Sequence, residues 1–220
     1  MDNNLTYIAV VLDESGSMGV VRDATIEGFN AFVTEQAKQP GEVRATLVKF
    51  NGAVSAPVFT DAPLSEVPQL RHSNYNPSGG TALYDAIGQT ILSLGQRLKD
   101  MPEEKRPGKV IFLIQTDGDE NSSFHYTLAA IKEMISHQQV KYNWGFMFLG
   151  ANIDAFAGGD MLGIARSATL QYTPQSSRNA FKSVSNYMSV ARAEGVASAT
   201  YNSADRDLAV TVDTVGTASN

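Results

Sequence analysis

Three short, almost unbroken apolar runs set the terms on which this chain can fold: Tyr7-Ile8-Ala9-Val10-Val11-Leu12, Val110-Ile111-Phe112-Leu113-Ile114 and Trp144-Gly145-Phe146-Met147-Phe148-Leu149. Each has the length of a strand and lacks the alternation of a sheet with one wet face, so each suits a parallel strand covered on both sides. Parallel neighbours need crossover connections, and the sequence supplies helices for them. Val21, Phe29, Phe32 and Val33, with Ala24 and Gly28 on the same side, make an apolar stripe that Pro40-Gly41 closes. Leu83, Ile87, Ile91, Leu94 and Leu98 repeat at helical spacing along a second segment, and Leu128, Ile131, Met134 and Ile135 along a third. Ser167 to Tyr172 reads as a short last strand. Thr173-Pro174 then supplies an N-cap and a proline at the first helical position, and Phe181, Val184, Met188 and Ala191 form the inner face of the helix they open. These patterns predict an α/β fold: a doubly wound, mainly parallel central sheet with helices on both faces.

One segment breaks the alternation of strand and helix. Ala45 to Phe50 is followed by Asn51-Gly52 and then Ala53 to Phe59, and Asn-Gly between two strand-like segments is a strong hairpin signal. The sheet is therefore expected to carry one antiparallel edge strand. Val196 to Asn220, dominated by Ala, Ser, Thr, Asp and Val, shows no sustained period, so residues 1–195 are expected to form the domain. Residues 196–220 are expected to be an extended or partly disordered tail, dispensable for folding and available for self-association.

Composition removes several function classes. With 17 Lys and Arg against 23 Asp and Glu, a net charge of -6 and no basic cluster, the chain is not expected to bind nucleic acid, because phosphate backbones are met by basic stripes. The absence of cysteine excludes thiolate metal sites and thiol nucleophiles. No apolar run approaches the ~20 residues that span a bilayer, and the first residues carry no basic, signal-like segment. The expectation is a cytoplasmic protein without a membrane partner.

The chemistry concentrates in Asp13-Glu14-Ser15-Gly16-Ser17-Met18-Gly19, placed directly after the first buried strand and before the first helix. Open α/β sheets bind their ligands at this edge. A carboxylate and two hydroxyls spaced two residues apart in a glycine-bearing turn can point into one small volume, and all are hard oxygen donors suited to Mg²⁺, Mn²⁺ or Ca²⁺. Taken singly, Ser17 or Thr81 reads more readily as a helix cap, and Asp117-Gly118 as a turn. Glu14, Asp119 and Glu120 read as solvated rim charges and Asp85 as a complement to its helix dipole. His72, His125 and His137 are scattered.

The pattern Asp13-x-Ser15-x-Ser17 after an apolar strand resembles the metal-ion-dependent adhesion site of von Willebrand factor type A domains. Ser78-Gly79-Gly80-Thr81-Ala82-Leu83 resembles the loop that carries the family's metal-binding threonine, and Thr116-Asp117-Gly118 the loop that carries its second aspartate. The resemblance runs from about Tyr7 to about Tyr172. It implies a Rossmann-like fold and a divalent cation, Mg²⁺ with Mn²⁺ or Ca²⁺ as alternatives, on Asp13, Ser15, Ser17, Thr81 and Asp117. It also implies a partner protein that donates an Asp or Glu side chain to the metal. Two carboxylates just neutralise a divalent ion, which leaves it able to gain from one further anion. A metal-dependent protein-binding module is thus expected rather than an enzyme. A Mg²⁺-assisted hydrolase or phosphoryl-transfer enzyme lacks a paired nucleophile and base beside the motifs, and a structural assembly component with a vestigial site is the remaining alternative.

Overall fold

In the computed structural model, which describes residues 1–151 and 154–212, the three apolar runs become neighbouring strands at the centre of one sheet. In chain order the strands are β1 (Asp2–Asp13), β2 (Glu42–Phe50), β3 (Phe59–Pro63), β4 (Pro107–Thr116), β5 (Gly145–Ala151) and β6 (Thr169–Tyr172). They lie in the order β3-β2-β1-β4-β5-β6, all parallel except β3, which runs antiparallel to β2 at the edge. β1 is buried at every position from Leu5 to Asp13, as a strand covered on both faces must be. The doubly wound architecture with one antiparallel edge strand is therefore the one the sequence predicts.

The helices are α1 (Arg22–Lys38), α2 (Leu83–Asp100), α3 (Leu128–Tyr142), α4 (Ala155–Leu162), α5 (Ser177–Glu194) and α6 (Ser203–Val210). α1 packs on α5, and α3 packs on both α2 and α4. Phe29 and Phe32 of α1 meet Phe181 of α5 with all three ring centroids 6.4 Å apart. Burying each ring is worth about 1.5–3 kcal/mol, so this cluster is a principal tie between the first and fifth helices. Arg192 of α5 is buried and donates to Gln36 O at 2.7 Å and Pro40 O at 2.8 Å, fixing the far end of the same pair.

Two expectations need correction. The edge strand is Phe59–Pro63, not Ala53 to Phe59: after Asn51-Gly52 only a single bridge, Phe50 with Val54, forms before the chain loops outward and pairs later. Lys49 O and Leu47 O accept Ser55 N and Val58 N at 3.0 and 2.8 Å, so the intervening loop satisfies backbone groups of β2 without a regular ladder. The second concerns the C-terminal segment. Ser203–Val210 is helical, opened by a reciprocal cap between Asn202 and Asp205, and Tyr201 is buried with its ring 4.8 Å from that of Tyr187. Its cap pattern stands in the sequence, but eight residues with few apolar positions give too short a stripe to reveal a period. Residues 213–220, the remainder of the expected tail, lie outside the described residues.

Candidate metal site

Sheet order reverses between β1 and β4, and the crevice beyond their carboxyl ends is where the motif residues meet. Asp13 is the last residue of β1, and Asp117 directly follows the last residue of β4. Asp13 is fully buried. Its Oδ1 accepts Ser15 N at 2.7 Å and its Oδ2 accepts the Thr116 hydroxyl at 2.6 Å. Ser17 donates to Asp117 Oδ1 at 2.7 Å and lies 3.1 Å, oxygen to oxygen, from Ser15. A Cβ built on Gly118 would stand 3.4 Å from Thr81 Oγ1 and 3.6 Å from Ser17 Oγ, so the hydroxyls of two separate loops approach one point. All five residues named from the sequence are thus brought to one place.

The helix-cap readings of Ser17 and Thr81 do not describe what these residues do, whereas Asp117-Gly118 does lie in a bend, with Gly118 N donating to the Thr116 hydroxyl. Ser17 lies inside a short 3-10 turn, Gly16–Val21, and its hydroxyl serves Asp117 rather than a helix end. Thr81 is not the N-cap of α2; that position is Ala82, which makes no side-chain cap bond. Thr81 and Asp117 sit on loops but are buried, at 3% and 6% exposure, so the loops fold inward at the site.

The Thr81 loop is held by glycine geometry and by charge. Gly79 has φ of +74°, where a side chain would be strained, and a Cβ on Gly80 would meet Ser122 Oγ at 2.3 Å, so a side chain there would force the Ser122 and Asn121 side chains to shift. Glu14 is buried, not a solvated rim charge: Lys49 Nζ reaches its two oxygens at 2.7 and 2.9 Å and also donates to Asn74 O. Glu14 O accepts Ser78 N at 2.9 Å, and Arg22 donates to Tyr75 O at 3.0 Å. The Asp117 loop is held likewise from α2. Asp85 accepts three backbone N–H groups, from Phe124, His125 and Tyr126, each at 2.9 Å. Glu120, also expected at a solvated rim, accepts Tyr84 N and Ser123 N at 2.9 and 2.6 Å. Tyr75 OH donates to Asp13 O at 2.6 Å, and Asn121 Oδ1 accepts Thr81 N at 2.9 Å. Nothing in the sequence marks Tyr75 or Asn121, whereas Thr116 could have been suspected from its place in Thr116-Asp117-Gly118.

Burial pushes the Asp13 carboxyl above its usual range, the Thr116 and Ser15 donors offset part of that, and the charge of Asp117 adds to the rise. Burial raises Asp117 as well, against the pull of the Ser17 hydroxyl. Neither carboxylate joins an ion pair among the described residues. Two buried acids with neutral donors only are costly as anions, and a cation between them would remove the cost. The donor set of two carboxylates and three hydroxyls is all hard oxygen, which fits Mg²⁺, Mn²⁺ or Ca²⁺. Among the described residues no group of three or more His, Cys, Asp or Glu side chains is placed to hold a metal.

No family model and no curated protein matches the sequence. Solved structures do match. A von Willebrand factor type A protein from Catenulispora acidiphila superposes with a TM-score of 0.54 at 15% identity, over 83% of this chain and 42% of that one. Proximal thread matrix protein 1 from the mussel byssus gives 0.54 at 16% identity, over 84% and 46%. The von Willebrand factor domain of the type V pili tip protein Mfa5 from Porphyromonas gingivalis gives 0.58 at 11% identity, over 84% and 95%. The chain therefore spans less than half the length of the first two. At these identities the likeness shows the fold: the chain has the architecture of a von Willebrand factor type A domain.

Proposed function

We propose that this chain is a metal-dependent protein-binding module in which Asp13, Ser15, Ser17, Thr81 and Asp117 hold a divalent cation, Mg²⁺ in the first instance with Mn²⁺ or Ca²⁺ as alternatives. The observation that carries the reading is the convergence of three loops on one crevice, with Ser17 bonded to Asp117 across 100 residues of sequence. A cation bound there would supply a Lewis-acidic position open to one more carboxylate. The residues do the rest. Asp13 and Asp117 balance the charge of a divalent ion, and the neutral hydroxyls of Ser15, Ser17 and Thr81 leave room for an Asp or Glu from a partner. Glu14 does not change this balance, because Lys49 neutralises it.

The surroundings support capture of a protein rather than a small anion alone. Val20, on the first site loop, is 79% exposed, and Phe124, on the third, is 89% exposed, which places large apolar side chains on the loops that carry the acids. A partner's carboxylate would be flanked by apolar contacts that exclude water and strengthen the ionic bond. A pull-down in Mg²⁺, repeated in EDTA, tests the proposal: partner proteins are expected to be retained only with the metal, and to be lost on Asp→Asn or Glu→Gln at one contact position. A partner equally well retained in EDTA, with every contacting acid replaceable, would falsify it.

A further inference from the structure

The Asn51-Gly52 turn after β2 closes no tight hairpin and presses instead on the loop that carries Thr81. Asn51 O accepts Ala82 N at 2.6 Å. A Cβ built on Gly79 would lie 3.6 Å from Gly52 N and 3.9 Å from Asn51 Cγ, and one built on Gly52 would lie 3.4 Å from Gly80 N. The two turns pack backbone to backbone, so a change in the covalent geometry of one is felt by the other.

The turn also has a chemistry of its own. Asparagine amides are labile where the next backbone nitrogen can attack the side-chain carbon, and a following glycine leaves that approach unhindered because it has no Cβ. Asn51 is the one asparagine in the chain with glycine next to it. Gly52 is exposed, and its N–H makes no hydrogen bond among the described residues, so the attacking nitrogen is not held elsewhere. Ala53 N donates to Asn51 Oδ1 at 3.2 Å, which favours the negative charge that develops on that oxygen during attack. Asn51 Nδ2, the leaving nitrogen, has only the Ser78 hydroxyl as a hydrogen-bond partner among the described residues, at 3.5 Å.

We propose that Asn51 is a site of spontaneous modification in the folded chain, and that its conversion to isoaspartate remodels the Thr81 loop. Gly52 N attacks Asn51 Cγ, the Cγ–Nδ2 bond breaks, and Nδ2 leaves as ammonia with the proton that Gly52 N gives up, closing a succinimide. Water then opens the ring, at Cγ to leave aspartate or at the main-chain carbonyl to leave isoaspartate; neither step needs an oxidant or a reductant. In isoaspartate the chain to Gly52 runs through Cβ and Cγ, and the carbonyl that accepted Ala82 N becomes a free carboxylate. A negative charge and an added chain atom thus arrive beside Thr81, whether or not a cation is bound there. The test holds the full ¹⁵N-labelled chain in EDTA at mildly alkaline pH until the same chain, unfolded in urea, has converted at Asn51. Peptide mapping, with labelling by an isoaspartate methyltransferase, is expected to find conversion at Asn51 in the folded chain as well. Gly52→Ala, at a position outside the left-handed region, should fold and convert at least about tenfold more slowly, a barrier about 1.4 kcal/mol higher. The converted chain, separated by its added charge, should show shifted amides at Gly79, Gly80, Thr81 and Ala82. An Asn51 that stays intact in the folded chain would overturn the proposal. So would conversion that leaves those amides in place, or a Gly52→Ala variant that converts as fast as wild type.

Discussion

Replacing Asp85 by Asn should loosen the Asp117 loop while leaving the sheet intact, and the size of the effect follows from the hydrogen bonds it breaks. Asp85 is buried in the first turn of α2, where its Oδ1 accepts His125 N and Tyr126 N and its Oδ2 accepts Phe124 N. In Asp85→Asn one oxygen survives to serve two of these donors, while an NH₂ faces the third N–H and leaves it unsatisfied. Losing one charge-assisted bond and weakening two others should cost about 2–4 kcal/mol. For a chain of this length that is a fall in Tm of roughly 4–16 °C. The pH dependence adds a second readout. Burial alone would raise the Asp85 carboxyl, but the three backbone donors outweigh it and hold the group below its ordinary value. A depressed folded-state pKa means that the stabilisation is fully present above the unfolded carboxylate value of about 3.9 and is lost as pH falls through the lower, folded value. The Tm gap between wild type and Asp85→Asn should therefore hold constant near neutrality and shrink in acid below about pH 4. Scanning calorimetry from neutral to acid pH measures both effects. A gap that is absent at neutral pH, or that stays the same into strong acid, would refute the assignment of the carboxylate as the anchor of this loop.

Other substitutions probe the site and its supports. Thr81→Ala and Asp117→Ala should each lower Mg²⁺ and Mn²⁺ affinity by at least about tenfold in calorimetric titration, and unchanged affinity in both would remove these residues from the site. Lys49→Met strands the buried Glu14 carboxylate and should cost about 3–5 kcal/mol in chemical denaturation, most of it recovered in the Glu14→Gln, Lys49→Met double variant; a double variant no more stable than the single one would show that the pair does not act as a pair. Phe124→Ser should weaken partner capture and leave metal affinity unchanged, since the side chain is exposed while its backbone N–H is the part anchored by Asp85. Tyr201→Ala should lower stability by about 3 kcal/mol, because it removes a buried ring tilted against Tyr187; a neutral result in thermal unfolding would return residues from 196 onward to the status of a dispensable tail.

Legibility in the sequence tracked the range of the interaction that fixed each feature. The central strands were readable because burial on both faces leaves a local mark, an unbroken apolar run, and the inner faces of α2 and α5 because Ile87, Ile91 and Leu94, or Phe181, Val184 and Met188, repeat at helical spacing. β3 was misplaced because Asn51-Gly52 announces a turn but cannot say where the returning strand will pair; that was set by how β2 bonds a loop wedged beside α2. α4 was missed because Ala155–Leu162 carries two glycines and a weak stripe, and its cap at Asp154 is a single residue.

By itself, then, the sequence determined the fold class, the strand-to-loop position of Asp13 and Asp117, and the residue types of a hard-oxygen donor set, because periodicity and motif order are local properties. Only the tertiary structure decided which acids are met by a cation or by backbone donors and which are buried together without a cationic partner. Glu14 and Glu120 look like rim charges in one dimension and Asp85 like a complement to its helix dipole, yet Lys49 pairs with the first and backbone N–H groups from other segments bond to the other two. Asp13 and Asp117 stand out in the sequence only by motif position; the structure adds that they are buried together at one crevice, where the hydroxyls of Thr116 and Ser17 are bonded to them and no cationic side chain pairs with them among the described residues. That distinction is a matter of desolvation and of partners brought from 100 and 103 residues away, neither of which a linear pattern records.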